Sequence, residues 1–336
     1  MSKKILVTGA SGFIASHCVI DLLEHGYQVR GTVRNLDRVP QLRAMYAKHT
    51  DKADEIEFVK ADLLSPAGWP EAAEGCDGLF HLASPVPSIQ PRDANDLIRP
   101  AKEGALNALQ AAKNNGIKRV VLTSSTAAIM YGHKDKVREY TEQDWTDLST
   151  PYLPAYIQSK TIAEKAAWDY AKNKNIELMT INPGAVFGPS LLGNFSSSLD
   201  ILRDLYAGKF PMVPKVGFEI VDVRDVAILH RLAYESPDAT GKRFLCTNGF
   251  RWMRDIALLL NKEFPKSKSP TIEMPSLFFM FSSIFLKSME LIKDDGDKVK
   301  TADISQAKAI GWKPRPVEEA VISGTYSLIS ENSYVK

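Results

Sequence analysis

The chain has 336 residues, 44% hydrophobic and 24% charged, with 42 Lys and Arg against 40 Asp and Glu for a formal charge of +2. That length suits one large α/β domain or a domain with a smaller lobe. The even charge argues against nucleic acid or an anionic membrane surface as partner, so any bound anion must be held by local groups.

Cys18, Cys76 and Cys246 are widely spaced and form no CxxC pair. This argues against a zinc site, any metal centre or a disulfide framework, and implies reduced thiols in the cytoplasm. The segment Met1-Ser2-Lys3-Lys4 enters an apolar strand directly, too short for a signal peptide.

Residues 4–8 (KILVT) predict the first strand, and 13–25 a helix with Ile14, Cys18, Val19, Leu22 and Leu23 at helical spacing, stopped by Gly26. Between them lies Thr8-Gly9-Ala10-Ser11-Gly12-Phe13-Ile14-Ala15. Gly9 can make the tight turn, Gly12 lets backbone amides approach a pyrophosphate at a helix N-terminus, and Ala15 permits close helix–strand packing. A glycine turn in this strand–turn–helix setting reads as a dinucleotide site.

Residues 27–33 predict a second strand, ending in Gly31-Thr32-Val33-Arg34-Asn35. An acid usually holds the ribose hydroxyls of NAD at that point, whereas an arginine accommodates the 2′-phosphate of NADP. Arg34 occupies the acid's position and Arg38 lies one helical turn on, so the expected cofactor is NADP(H).

A third strand, 56–61, ends at Asp62 and Leu63. Asp62 either accepts from the adenine amine, with Leu63 on the ring, or caps a helix. The fourth strand, 78–83, ends in His81-Leu82-Ala83-Ser84, where Ala83 and Ser84 leave room for a cofactor and His81 reads as structural.

A helix over 93–115 precedes a fifth strand, 119–123, which runs into Thr123-Ser124-Ser125-Thr126. A hydroxyl there can donate to a carbonyl oxygen as charge develops on it. Tyr156 and Lys160 follow on a helix over 151–172, and their spacing puts both on one face. A nearby ammonium lowers a phenol pKa from about 10, making it a usable acid near neutral pH.

A strand over 176–181 completes a pattern of apolar strands alternating with helices. The expected fold is α/β, a Rossmann-type doubly wound parallel sheet covered on both faces, with its ligand beyond the carboxyl ends of the strands. Residues 1–185 read as the NADP-binding part and 186–336 mainly as a smaller C-terminal α/β substrate lobe, with segments around 219–248 returning to the sheet. The apolar run 277–286 is broken by Ser282 and Ser283 and falls short of the ~20 residues of a spanning helix, so it reads as a buried or interface helix.

Taken in order, TGASGFIA at 8–15, TVRN at 32–35, FHLAS at 80–84, TSS at 123–125, YIQSK at 156–160, NPGAVFGP at 182–189 and VDVRDVA at 221–227 resemble the extended short-chain dehydrogenase/reductases. Within them the chain is similar to the dihydroflavonol reductase-like group, over nearly its whole length. The resemblance implies that Ser125 polarises a substrate carbonyl, Tyr156 donates the proton, and Lys160 holds the nicotinamide ribose and lowers the tyrosine pKa. It places Pro183, Ala185 and Val186 at the nicotinamide and Ser198 at the cofactor phosphates.

Two departures weigh against the named plant substrates. The flavonoid-contacting asparagine and glutamine fall on Met130 and Glu219, and PAYIQSK stands where cinnamoyl-CoA reductases carry roughly NWYCYGK. An apolar pocket of Met130, Ile157, Tyr206 and Phe218 is expected instead. The implied activity is NADPH-dependent reduction of small-molecule aldehydes and ketones, by a monomer or homodimer. The alternatives are an NAD-dependent nucleotide-sugar epimerase or dehydratase and a non-catalytic dinucleotide sensor.

Overall fold

The computed structural model describes residues 2–86, 91, 93–191, 193, 197–209, 211–274 and 295–330. The apolar run 277–286 lies outside them.

The first half alternates as the sequence pattern predicts. In chain order it runs β1 (Lys4–Val7), α1 (Phe13–Glu24), β2 (Gln28–Val33), α2 (Val39–Tyr46), β3 (Glu57–Lys60), α3 (Trp69–Ala73), β4 (Gly78–His81), α4 (Asn95–Asn114) and β5 (Arg119–Thr123). Then come β6 (Val137–Tyr140), α5 (Ala155–Lys174), β7 (Glu177–Pro183), β8 (Ala185–Phe187), α6 (Ser197–Tyr206), β9 (Gly217–Asp222), α7 (Val223–Glu235) and β10 (Arg243–Cys246). The remainder is β11 (Phe250–Trp252), α8 (Met253–Glu263), β12 (Val299–Ala302), α9 (Ser305–Ala309) and α10 (Val317–Ser330).

Seven strands form one sheet in the order β10-β7-β5-β4-β1-β2-β3, every pair parallel. Chain direction across the sheet reverses between β1 and β4, which opens a crevice at their carboxyl ends. The strands are continuous apolar runs because both faces are covered. Ile5 and Val7 face one core while Leu6 faces the other, and β7 repeats this with Met179 and Ile181 against Leu178. Helices α1 and α7 pack together on one face, α4 and α5 on the other.

A smaller sheet, β11-β9-β8, and a parallel pair, β12-β6, sit beside the main one. Of the stretch 219–248, β9 belongs to the smaller sheet, while α7 and β10 join the main layer. Helix α5 begins at Ala155 rather than at Pro151, because Pro154 stands at its N-cap in an extended conformation.

Candidate active site

The crevice is a cleft of about 910 Å³, at the upper end of the range for ligand pockets. Its floor is the glycine turn. Gly9 has φ +67°, the left-handed region where glycine is at no disadvantage. The turn is held on three sides. Gly9 N–H donates to Thr32 Oγ1 at 2.9 Å, Tyr46 hydroxyl donates to the Ala10 carbonyl at 2.6 Å, and Gly12 N–H donates to the Gly9 carbonyl at 2.8 Å. Gly12 is the N-cap of α1 and offers no side-chain cap, so the first-turn amides face the cleft with Ser11, Phe13 and Ile14 beside them.

Thr8 staples this turn to the next strand end. Its hydroxyl oxygen accepts from the amides of Leu82 and Ala83, both at 2.9 Å, and its proton goes to His81 Nδ1 at 3.1 Å. Burial pushes the His81 imidazole down to about 3, so it accepts as a neutral ring and packs structurally. Ala83 and Ser84 continue along the cleft wall.

Arg34 and Arg38 line the far end of the cleft, both exposed. Neither has a carboxylate partner among the described residues. Asp62 and Leu63 line the neighbouring stretch, but Asp62 is not a helix cap. Its Oδ1 accepts from Leu64 N–H at 2.8 Å within a turn, and α3 starts only at Trp69 after Gly68. Trp69, which the sequence reading missed, also lines the cleft and donates its indole N–H to the Asp62 carbonyl at 2.9 Å.

At the other end β5 and α5 converge. Thr123, Ser125, Tyr156 and Lys160 all reach the cleft. Ser124 and Ser125 have separate surroundings. Ser124 donates to the buried Glu164 carboxylate, whereas Ser125 is hydrogen-bonded to the Tyr156 phenol. Lys160 Nζ lies 5.7 Å from the centre of the Tyr156 ring. Pro183, Val186 and Ser198 complete this end, together with Gly184 and Asp200, which the sequence reading missed. Ala185 does not reach the cleft; it packs against the main core.

Two further expectations are corrected. The phenol of Tyr156 lies above its usual value rather than below it. Burial raises it, and the Ser125 hydrogen bond is the opposing influence. Lys160 is itself pushed down to about 8 by burial, with the Glu164 charge pulling it back up. The apolar pocket also differs. Met130 is buried with Ile129, Tyr140 and Leu245, and Ile157 with Ala127 and Leu153. Tyr206 meets the Phe264 ring edge-on and Phe218 packs on the main core. None of these four side chains lines the cleft. Glu219 is likewise buried away from it, accepting from Gly249 N–H at 3.2 Å.

Among the described residues no helix is long and apolar enough to cross a membrane, and no group of His, Cys, Asp and Glu is placed to hold a metal ion.

Residues 5–246 match the NAD dependent epimerase/dehydratase family, and the chain belongs to it, as an extended short-chain dehydrogenase/reductase. It is 38% identical over 271 residues to cinnamoyl-CoA reductase 1 of Petunia hybrida, covering 80% of this chain and 79% of that protein. It is 35% identical over 285 residues to the bifunctional dihydroflavonol 4-reductase/flavanone 4-reductase of Malus domestica, covering 80% and 79%. The solved structure of Gre2 from Candida albicans in complex with NADPH superposes with a TM-score of 0.81 at 30% identity, over 98% of this chain and 99% of that one.

Proposed function

We propose that the protein is an NADPH-dependent carbonyl reductase that converts small aldehydes and ketones to alcohols. The observation that carries this reading is the convergence of Ser125, Tyr156 and Lys160 at one end of a cleft whose other end presents two arginines without carboxylate partners among the described residues. The residues present suit the dinucleotide. Backbone amides at the start of α1 would hold its pyrophosphate, Arg34 and Arg38 its 2′-phosphate, and Asp62, Leu63 and Trp69 its base. The reductase names carried by its relatives agree with this chemistry.

NADPH held there would supply a hydride for the carbonyl carbon. The phenol of Tyr156 gives its proton to the carbonyl oxygen, and the resulting phenolate recovers a proton from solvent. Ser125 donates to the same oxygen as negative charge grows on it, an interaction stronger in the transition state than in the ground state. Before substrate enters, the Ser125 hydroxyl is hydrogen-bonded to the Tyr156 phenol, which favours the phenolate form. Lys160, its ammonium beside the ring, adds positive potential at the same place.

The test is NADPH oxidation by the purified protein against a panel of aldehydes, ketones and diketones, alongside Tyr156→Phe. Turnover by the variant is expected to fall by at least ~10²–10⁴-fold, the range for a lost general acid, with NADPH binding retained. Near-normal turnover by Tyr156→Phe would overturn the mechanism. Purified protein carrying tightly bound NAD would favour an epimerase instead.

A further inference from the structure

Beneath the site lies a buried polar hub centred on Glu164, whose side chain has no solvent exposure. It stands two turns along α5 from Tyr156 and one from Lys160. Five donors from four elements surround its carboxylate. Arg243 Nε of β10 lies at 2.7 Å, Asn182 Nδ2 of β7 at 2.8 Å, Trp168 Nε1 at 3.2 Å and Thr180 Oγ1 at 3.3 Å, with the Ser124 hydroxyl closing the set. Arg243 is held in turn by the carbonyls of Glu142 and Asp144, at 2.8 and 2.6 Å, and its guanidinium stacks 3.8 Å from the Trp145 ring centre.

The second hydrogen on Asn182 Nδ2 goes to the backbone carbonyl of Ser125 at 3.2 Å. One amide therefore spans from the helix bearing Tyr156 and Lys160 to the strand end bearing Ser125. The three residues whose relative placement decides proton transfer sit on two elements, and this bridge joins the Ser124–Glu164 hydrogen bond in holding one against the other. A displacement of 1 Å at such a site costs far more in rate than in binding.

We propose that Glu164 and Asn182 are positioning residues for the reductase, tying the Ser125 strand end to the Tyr156 helix. The proposal rests on the reductase reading above. It goes beyond it by assigning a role to two side chains that do not line the cleft. Set back from the cleft, they act through Ser124, Ser125 and the α5 backbone.

The decisive variant is Asn182→Ala, because it removes the amide bridge to the Ser125 carbonyl and leaves the Glu164–Arg243 pair and the Ser124–Glu164 bond intact. Its kcat is expected to fall about tenfold to a hundredfold, with the Michaelis and dissociation constants for NADPH within about twofold of wild type. Glu164→Gln is expected to move kcat in the same direction. Since it leaves Arg243 buried without its counter-charge and can fail to fold, Asn182→Ala decides the matter. Wild-type kcat in folded Asn182→Ala overturns the proposal, as does an equal loss of kcat and NADPH affinity.

A wild-type protein that reduces no carbonyl overturns the reductase reading instead. The positioning role is then decided by the Tyr156 phenol titration, followed as an ultraviolet difference spectrum against Tyr156→Phe. In Asn182→Ala that titration is expected to move to higher pH as the Ser125 hydrogen bond loosens. An unmoved titration overturns the positioning role.

Discussion

Gly31 of β2 and Ala10 of the glycine turn approach so closely that a Cβ on Gly31 would lie 2.6 Å from the Cβ of Ala10. Ala10 has no room to retreat, because its N–H is bonded to the Thr32 carbonyl at 3.0 Å and its carbonyl to Tyr46. Gly31→Ala is expected to destabilise the fold by about 1–3 kcal/mol, the usual cost of overpacking. Because the strain falls on the turn proposed to hold the pyrophosphate, NADPH affinity should fall as well. Urea denaturation and calorimetric titration check the two effects, and wild-type values in both would show that the contact relaxes freely.

The proposed cofactor preference rests on Arg34 and Arg38 at the far end of the cleft. A guanidinium is always charged and presents a planar fork suited to phosphate. Losing such a contact costs on the order of 1.5–3 kcal/mol, or about tenfold to a hundredfold in affinity. Arg34→Ala should raise the Michaelis constant for NADPH by that factor and leave the constant for NADH nearly unchanged. Steady-state kinetics with both cofactors decide it; equal use of NADH and NADPH by the wild type would contradict this assignment of the β2 end.

Much of this architecture is legible in the sequence because local rules agree there. β1, α1 and β2 follow from an apolar run, a glycine turn and a helical period, and the cleft lies where those elements end. Other features carry no local signal. β6 (VREY) has no apolar run, and it pairs with β12 far along the chain. The Arg243–Glu164 ion pair joins residues 79 apart in sequence, which no periodicity marks. The spacing of Glu164 from Lys160 on one helix face is the clue that was available. Met130 and Tyr206 show the converse error. Their positions in the chain suggested a substrate pocket, but whether a side chain faces a cleft or the core depends on the direction of its Cβ.

Acid should destabilise the protein through buried histidines. Burial pushes His17 and His230 down to about 4 and His81 to about 3, against 6.5 in the unfolded chain. Between those values the unfolded state binds protons that the folded state refuses, so stability falls as pH is lowered from about 6.5 toward 4. His230 is fixed as neutral by accepting from Thr123 Oγ1 at 2.7 Å and donating to the Val226 carbonyl at 2.7 Å. Each histidine should contribute a loss of order 1–2 kcal/mol between pH 6.5 and 5. Urea denaturation across that range measures it, and a flat profile would show that the rings admit protons without opening the fold.

Lys160 should show activity and stability pulling apart. Its ammonium is buried, and desolvation lowers it from 10.5 to about 8 even with Glu164 on the same helix. The drop corresponds to about 3 kcal/mol of strain carried by the folded state at neutral pH. Below pH 8 both states are protonated and the strain is fully present. Between about 8 and 10.5 the unfolded chain holds a proton that the folded one has released, so stability rises with pH across that window. Lys160→Met removes the buried charge and keeps the apolar stem. It should raise the unfolding free energy at pH 7 by on the order of 1–3 kcal/mol, with the gain shrinking toward pH 10.5. Turnover should fall by ~10² or more, because the charge beside Tyr156 is lost. A variant less stable than wild type at pH 7, or a gain that does not change with pH, would show that Lys160 is not held against its own desolvation.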